Sequence, residues 1–208
     1  MLDRQVCLIY NFSMKNKNKK SDARDRIMET ALNLFYTQGY LATGINQIIS
    51  ESKVAKATFY AHFHSKEALC IAYLQARHIL WMGWLKENVS GCKTPQEKIT
   101  GIFDFLKKWM SESNFRGCAF LNIATEIPSI DTEIRDQVIK HKNDLQLYLQ
   151  NIIQDIIKSN SSCVEPDTGQ TTRMVYVLIE GAIVAGQNYG TIWPIEAAQR
   201  AVENLLKL

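Results

Sequence analysis

Residues Val54 to Phe63 read VAKATFYAHF, which sets three aromatics, a histidine, a threonine and a lysine within ten positions. On a short helix, Phe59 and Phe63 are four apart and fall on one face with Val54, where they can hold the helix against a core. Lys56, Thr58, Tyr60 and His62 are left on the outer faces, and ammonium, hydroxyl, phenol and imidazole can all hydrogen-bond phosphates or base edges. The aromatics are divided between anchoring and contact.

Working outward, a short helix after Thr43 would bury Ile45, Ile48 and Ile49, and only the residues SESKV separate the two short helices. A longer helix begins behind Ser21 or Asp22 and aligns Ile27, Ala31, Leu34 and Phe35 on one face, ending at Gly39, which suits a left-handed residue. Ser65 caps a long fourth helix bearing Leu69, Ala72, Tyr73, Ala76 and Leu80. Two short helices joined by a tight turn behind a longer one describe a helix-turn-helix, whose third helix enters a major groove. Charge agrees: Lys15 to Lys66 holds nine basic against four acidic residues, a net +5 in a chain of net +3, as expected of a segment facing a polyanion.

Residues Ala23 to Leu74 resemble the DNA-binding domain of the TetR/AcrR family of bacterial repressors, through RIMETALNLFYTQGYLATGINQIISESKVAKATFYAHFHSKEAL. The resemblance implies phosphate contacts at Thr43, Tyr60, His62 and Lys66 and groove contacts from Lys56, Ala57 and Thr58. Three positions depart from the pattern. Lys53 stands where the family has the turn glycine, so a left-handed backbone there would be strained by about 1 kcal/mol or somewhat more. Gly44 and Ala55 replace hydroxyl residues at the starts of the two short helices, weakening capping by about 0.5–1 kcal/mol at Ala55. With side chains as short as Ala55 and Ala57, base recognition would fall to thymine methyl contacts, Lys56 and DNA shape. The alternative for Tyr60 and His62 is ordinary exposed surface, and for KNKNKK (residues 15–20) a solvated tail rather than an arm tracking phosphates, while His64 is read as a solvent-facing loop residue.

The chain is read as helical throughout, because apolar residues recur at helical spacing and no alternating run stands out as a strand. Hydrophobic residues make up 46 % of 208, enough for a core that excludes general disorder. Thr94-Pro95-Gln96-Glu97 is a capping box with proline at the first helical position, opening a helix to about Ser111. GCAFLNIATEI forms a short helix ended by Pro128, Asp131 opens a long one through Lys158, and the polar loop SNSSCVEPDTG precedes helices at about Gln170 to Tyr189 and Ile195 to Leu206. The expected organisation is all-α: a basic extension at 1–20, a helix-turn-helix domain at 21–66, and a helical ligand-binding and dimerisation domain at 67–208. Met14 is a plausible internal start, and Val6 to Phe12 is too short for a membrane span. Five scattered cysteines without a C-x-x-C pair or a histidine at ligand spacing point to a reducing, cytoplasmic compartment, with no metal, cofactor or membrane partner expected.

RGCAFLNIATEI and VLIEGAIVAGQNYG also resemble segments in one branch of that family, which implies ligand binding and dimerisation. Candidate effector contacts are Trp81, Trp84, Phe103, Trp109, Phe120 and Tyr176, with Asn122, Glu126 and Glu180 as isolated polar groups in apolar helices. An acid in such a setting needs a partner, so the expected effector is small and hydrophobic or aromatic, with a cation allowed. Gly181, Ala182, Ala185 and Gly186, together with Ala198, Ala201, Val202 and Leu205 on the last helix, are the candidate homodimer contacts; plain packing within one chain is the alternative. Cys118 beside Arg116 is read either as an electrophile-sensing thiol or as a space-filling core residue. The expected function is a ligand-responsive repressor that binds double-stranded operator DNA as a dimer. Its rivals are an enzyme, for which the chain offers no phosphate loop, metal triad or nucleophile motif, and a helical ligand-binding or adaptor protein that no longer binds DNA.

Overall fold

The computed structural model describes residues 22–127, 129, 132–159 and 167–208. The basic extension and its lysine run, Met14, the stops and starts at Pro128 and Asp131, and most of the SNSSCVEPDTG loop lie outside the described residues. These residues form the helices α1 (Ala23–Thr37), α2 (Ile45–Glu51), α3 (Lys56–His62), α4 (Lys66–Asn88), α5 (Pro95–Glu112), α6 (Ala119–Glu126), α7 (Glu133–Ser159), α8 (Thr168–Tyr189) and α9 (Trp193–Leu206). No strand occurs among them. The chain divides into two compact units, one of residues 1–80 and 119–139, the other of residues 81–118 and 140–208.

In the first unit, α1 packs against both α2 and α3. Its face of Ile27, Ala31, Leu34 and Phe35 is buried, as periodicity requires, together with Ile48 from α2 and Phe59 from α3. The Asp22 carboxylate caps α1, and Gly39 just beyond it has φ +99. Neither α2 nor α3 has a side-chain cap: Gly44 and Ala55 stand at the two N-cap positions without a hydrogen bond from their side chains. The turn between them is held instead by the Ser52 hydroxyl donating to the Ile48 carbonyl at 2.6 Å and by Arg26 Nε donating to the Ser52 carbonyl at 3.1 Å. Lys53 sits in this turn at φ +55, the left-handed conformation anticipated from its place in the pattern.

In the second unit, α9 packs on α8 and α5, and α5 also meets α8. Both halves of the capping box at Thr94 are formed, and the left-handed Gly190 closes α8. Val175, Ile179, Ala182 and Ile183 of α8 are buried, as are Ile195, Ala198, Val202 and Leu206 of α9. At Gly186 an added Cβ would stand 3.2 Å from Met110 Cε, so a side chain there would push the methionine's end aside by a few tenths of an ångström. The joint between α7 and α8 is made with charge: Lys142 Nζ lies 2.7 Å from Glu180 Oε2, with 11 % and 16 % of the two side chains exposed. Burial lowers the Lys142 pKa, but the negative groups around it outweigh burial and the net shift is upward. A raised lysine pKa means that the stability contributed by the Lys142 charge is present below the ordinary lysine range and fades as the pH climbs through the raised value.

Two stability outcomes follow. Lys53→Gly removes a left-handed lysine at the entropic cost of a glycine, and should stabilise the protein by about 0.5–1 kcal/mol, raising the thermal midpoint by about 1–4 °C. Lys142→Met leaves Glu180 without its ammonium and should cost about 3 kcal/mol by urea unfolding, whereas Lys142→Met with Glu180→Met should recover most of that loss.

Candidate DNA interface and effector region

Phe59 has no exposed surface and Phe63 is 4 % exposed; their rings lie 6.4 Å apart, and the Arg24 guanidinium covers Phe63 at 5.4 Å. Held from behind in this way, α3 turns Lys56, Ala57, Tyr60 and His62 to solvent, with Thr58 half-buried beside them. The Tyr60 ring meets Phe59 edge-on at 5.3 Å, which directs a residue with 42 % of its surface exposed from a buried neighbour. This is the division of labour that the spacing predicts. Among residues 22–66 the basic excess is only five against four, so most of the +5 counted in the sequence comes from lysines 15–20.

Two of the expected phosphate contacts are placed differently. Thr43 is fully buried, and its hydroxyl donates to the Gly39 carbonyl at 2.7 Å, so its side chain supports the turn from inside and the expected phosphate contact is corrected. Lys66 is half-buried with Nζ 4.3 Å over the Tyr40 ring, and burial lowers its pKa against the opposing pull of Cys70 and Glu126.

The effector candidates separate. Trp81, Trp84, Phe103, Trp109, Tyr176 and Glu180 belong to the second unit, Phe120, Asn122 and Glu126 to the first. Trp81 meets Phe105 at 5.3 Å, Trp109 at 5.7 Å and His141 at 5.4 Å, a cluster of nearly perpendicular rings. The Trp81 indole N–H is buried and finds no hydrogen-bond acceptor among the described residues. Phe103 and Phe120 are core, at 0 and 3 % exposure, while Trp84 and Asn122 are half-buried. Glu180 is bonded to Lys142, and Tyr176 beside them has its pKa raised by burial first and by Glu180 second. Glu126 accepts a hydrogen bond from the Leu41 backbone N–H at 2.6 Å.

Lys142 Nζ also reaches Cys118 Sγ at 3.5 Å, and Cys118 is 6 % exposed. The segment leading to this thiol runs through left-handed backbone at Asn114 (φ +50), Phe115 (φ +55) and Gly117 (φ +78), of which only the bulky Phe115 is strained. His141, Lys142 and Phe105 were not singled out from the sequence. The signal was present: Lys142 lies four residues after Val138 and three before Leu145, an interior phase where a lysine needs a partner.

The candidate dimer residues split between two faces of α8 and α9. Ala182, Gly186, Ala198 and Val202 are buried within this chain, so they are seam residues and the expectation for them is corrected. Gly181 and Ala201 are exposed, and Ala185 and Leu205 are half-buried. Gly181 shares an outward stripe of α8 with Met174, Val177 and Val184, which are 47, 64 and 43 % exposed. No cluster that could hold a metal ion occurs among the described residues, and no described helix is long and apolar enough to cross a membrane.

Residues 27–73 match the family described as bacterial regulatory proteins, tetR family, and residues 95–202 match the tetracyclin repressor-like C-terminal domain. The chain is 23 % identical over 195 residues to the HTH-type transcriptional repressor NemR of Escherichia coli K12, covering 92 % of this chain and 97 % of that protein. It is 27 % identical over 192 residues to the HTH-type transcriptional regulator LmrA of Bacillus subtilis 168, covering 89 and 97 %. Its fold is shared by a TetR-family transcriptional regulator of Streptomyces coelicolor, with TM-score 0.77 and 24 % identity over 89 % of this chain and 94 % of that one. The reduced form of E. coli NemR superposes with TM-score 0.76 and 20 % identity, over 88 and 97 %. With the head and the body both matched, the second match alone spanning more than half of the sequence, the chain belongs to the TetR family of bacterial regulatory proteins and is a helix-turn-helix DNA-binding transcription regulator, not an enzyme.

Proposed function

We propose that the protein is a cytoplasmic, ligand-responsive repressor that binds a near-palindromic operator as a homodimer and is released by a small hydrophobic effector. The observation that carries this reading is the outward display of Lys56, Ala57, Tyr60 and His62 on a helix pinned by Phe59. Residues 21–66 serve as the DNA-binding head and residues 67–208 as the effector and dimer domain, with lysines 15–20 of the basic extension adding charge along the phosphate backbone. Two copies would set two α3 helices in successive major grooves, about 34–36 Å apart or somewhat more. The exposed apolar stripe of Met174, Val177, Gly181 and Val184 supports a second copy of this chain as its cover, since a single α3 reads only half of a palindrome. Repression rather than activation is supported by the printed description of NemR as a repressor.

For the effector, the ring cluster around Trp81 and its indole N–H without an acceptor favour a neutral hydrophobic or aromatic molecule carrying one acceptor. A cationic effector loses its argument at Glu180, whose charge is met by Lys142. Coupling of about 1–3 kcal/mol between effector and operator is the expected scale. A second reading is thiol chemistry at Cys118: the solved NemR neighbour is described as a reduced form, and here the thiol touches the Lys142 ammonium. Adding a group to this sulfur would displace Lys142 and strain its bond to Glu180.

In fluorescence anisotropy with DNA from upstream of its own gene, the wild-type protein should bind with an affinity that falls steeply with salt. Lys56→Ala should weaken binding and flatten the salt slope by about one, and Tyr60→Phe should weaken it about three- to ten-fold. A wild-type protein without salt-sensitive binding would sink the repressor reading in favour of a helical adaptor. Mass spectrometry after mild electrophile treatment should find Cys118 modified, with DNA release lost in Cys118→Ser, if the thiol reading is right; an unmodified Cys118 excludes it.

A further inference from the structure

The turn between α1 and α2 has little apolar anchorage of its own at its tip, where Leu41 is 65 % exposed and Ala42 is exposed. Behind the tip the Tyr40 ring packs on Phe35 at 5.5 Å, and the tip itself is held directionally. Glu126, the last residue of α6, accepts the Leu41 backbone N–H through Oε2 at 2.6 Å. The carboxylate can come this close because residue 39 is glycine: an added Cβ would stand 2.7 Å from Glu126 Oε1, and φ +99 is itself a glycine conformation. From Gly39 the link continues inward. Its carbonyl accepts the buried Thr43 hydroxyl at 2.7 Å, and Thr43 directly precedes Gly44, the N-cap of α2. On the other side, Lys66 at the start of α4 lies over the Tyr40 ring and feels the charge of Glu126.

A carboxylate at the C-terminal end of a helix faces the negative end of the macrodipole, so Glu126 is badly placed for α6 itself. Its position makes sense through what it grips. We infer that Glu126 is a positioning residue for DNA recognition, through which α6 fixes the Gly39–Leu41 turn and thereby the pose of the helix-turn-helix. This rests on the reading of that head as DNA-binding. Because a hydrogen bond of this length tolerates little displacement, a shift of α6 must either drag the turn or release it. The grip therefore makes the position of α6 legible at α2 and α3, and it acts through one backbone amide.

The test uses the full chain and a duplex selected from a random library by the wild-type protein. Glu126→Ala should speed hydrogen exchange over residues 39–44 and weaken operator binding about ten-fold, since it removes the charge-assisted hydrogen bond that ties the turn to α6. Glu126→Gln keeps an acceptor oxygen at the same place and should restore both measurements to within about three-fold of wild type. Gly39→Ala should behave like Glu126→Ala, because its Cβ expels the carboxylate. Far-ultraviolet dichroism guards against a variant that fails to fold, and the glutamine variant keeps the test meaningful if the alanine one does. The inference is overturned if Glu126→Ala exchanges at the wild-type rate, or exchanges faster yet binds DNA as wild type does, or if glutamine restores neither measurement. A wild-type protein that selects no duplex would instead bring down the DNA-binding reading itself.

Discussion

The outward display of Lys56, Tyr60 and His62 depends on the burial of Phe59. The helix that carries it is seven residues long and has no side-chain cap, too short to persist by its own hydrogen bonds in water. Its shape and direction come from one ring with no exposed surface, a second that is nearly covered, and the guanidinium of Arg24 laid over the latter. Lys56, Tyr60 and His62 are pointed by that packing and by nothing local to themselves. Packing, rather than propensity, is the source of the head's chemistry.

The head is completed by backbone devices. The Ser52 hydroxyl and Arg26 close the turn between α2 and α3, and buried Thr43 closes the one before α2. In both places a polar side chain satisfies a carbonyl instead of facing solvent, which is how two uncapped helices stand so close together. The second unit uses another economy: rings around Trp81 fill its aromatic region, the Met110 methyl packs over Gly186, and an ion pair joins α7 to α8.

Much of this was legible in the sequence because it follows from periodicity and from local chemistry. The partition of Phe59 and Phe63 from Tyr60 and His62 needs only helical spacing, and the capping box at Thr94 needs only four residues. What escaped depends on partners far along the chain. Glu126 looked like an isolated acid because its donor, Leu41, lies 85 positions away. Thr43 was assigned outward on resemblance, while its acceptor is a backbone carbonyl that no pattern announces. The small residues of α8 advertised close approach but not by whom: Gly186 receives Met110, whereas Gly181 on the other face meets nothing within 4 Å. A sequence shows that a helix has two smooth sides; only its neighbours decide which one is spent.

The Lys142–Glu180 pair has a further consequence for assembly. Greasy seams between helices can slip by a turn and find a comparable fit, but a lone charge couple has a single match, since one step along either helix would strand both ions. It therefore works as an indexing pin. With α8 locked in phase against α7, the row of Met174, Val177 and Val184 meets the outside at one fixed azimuth.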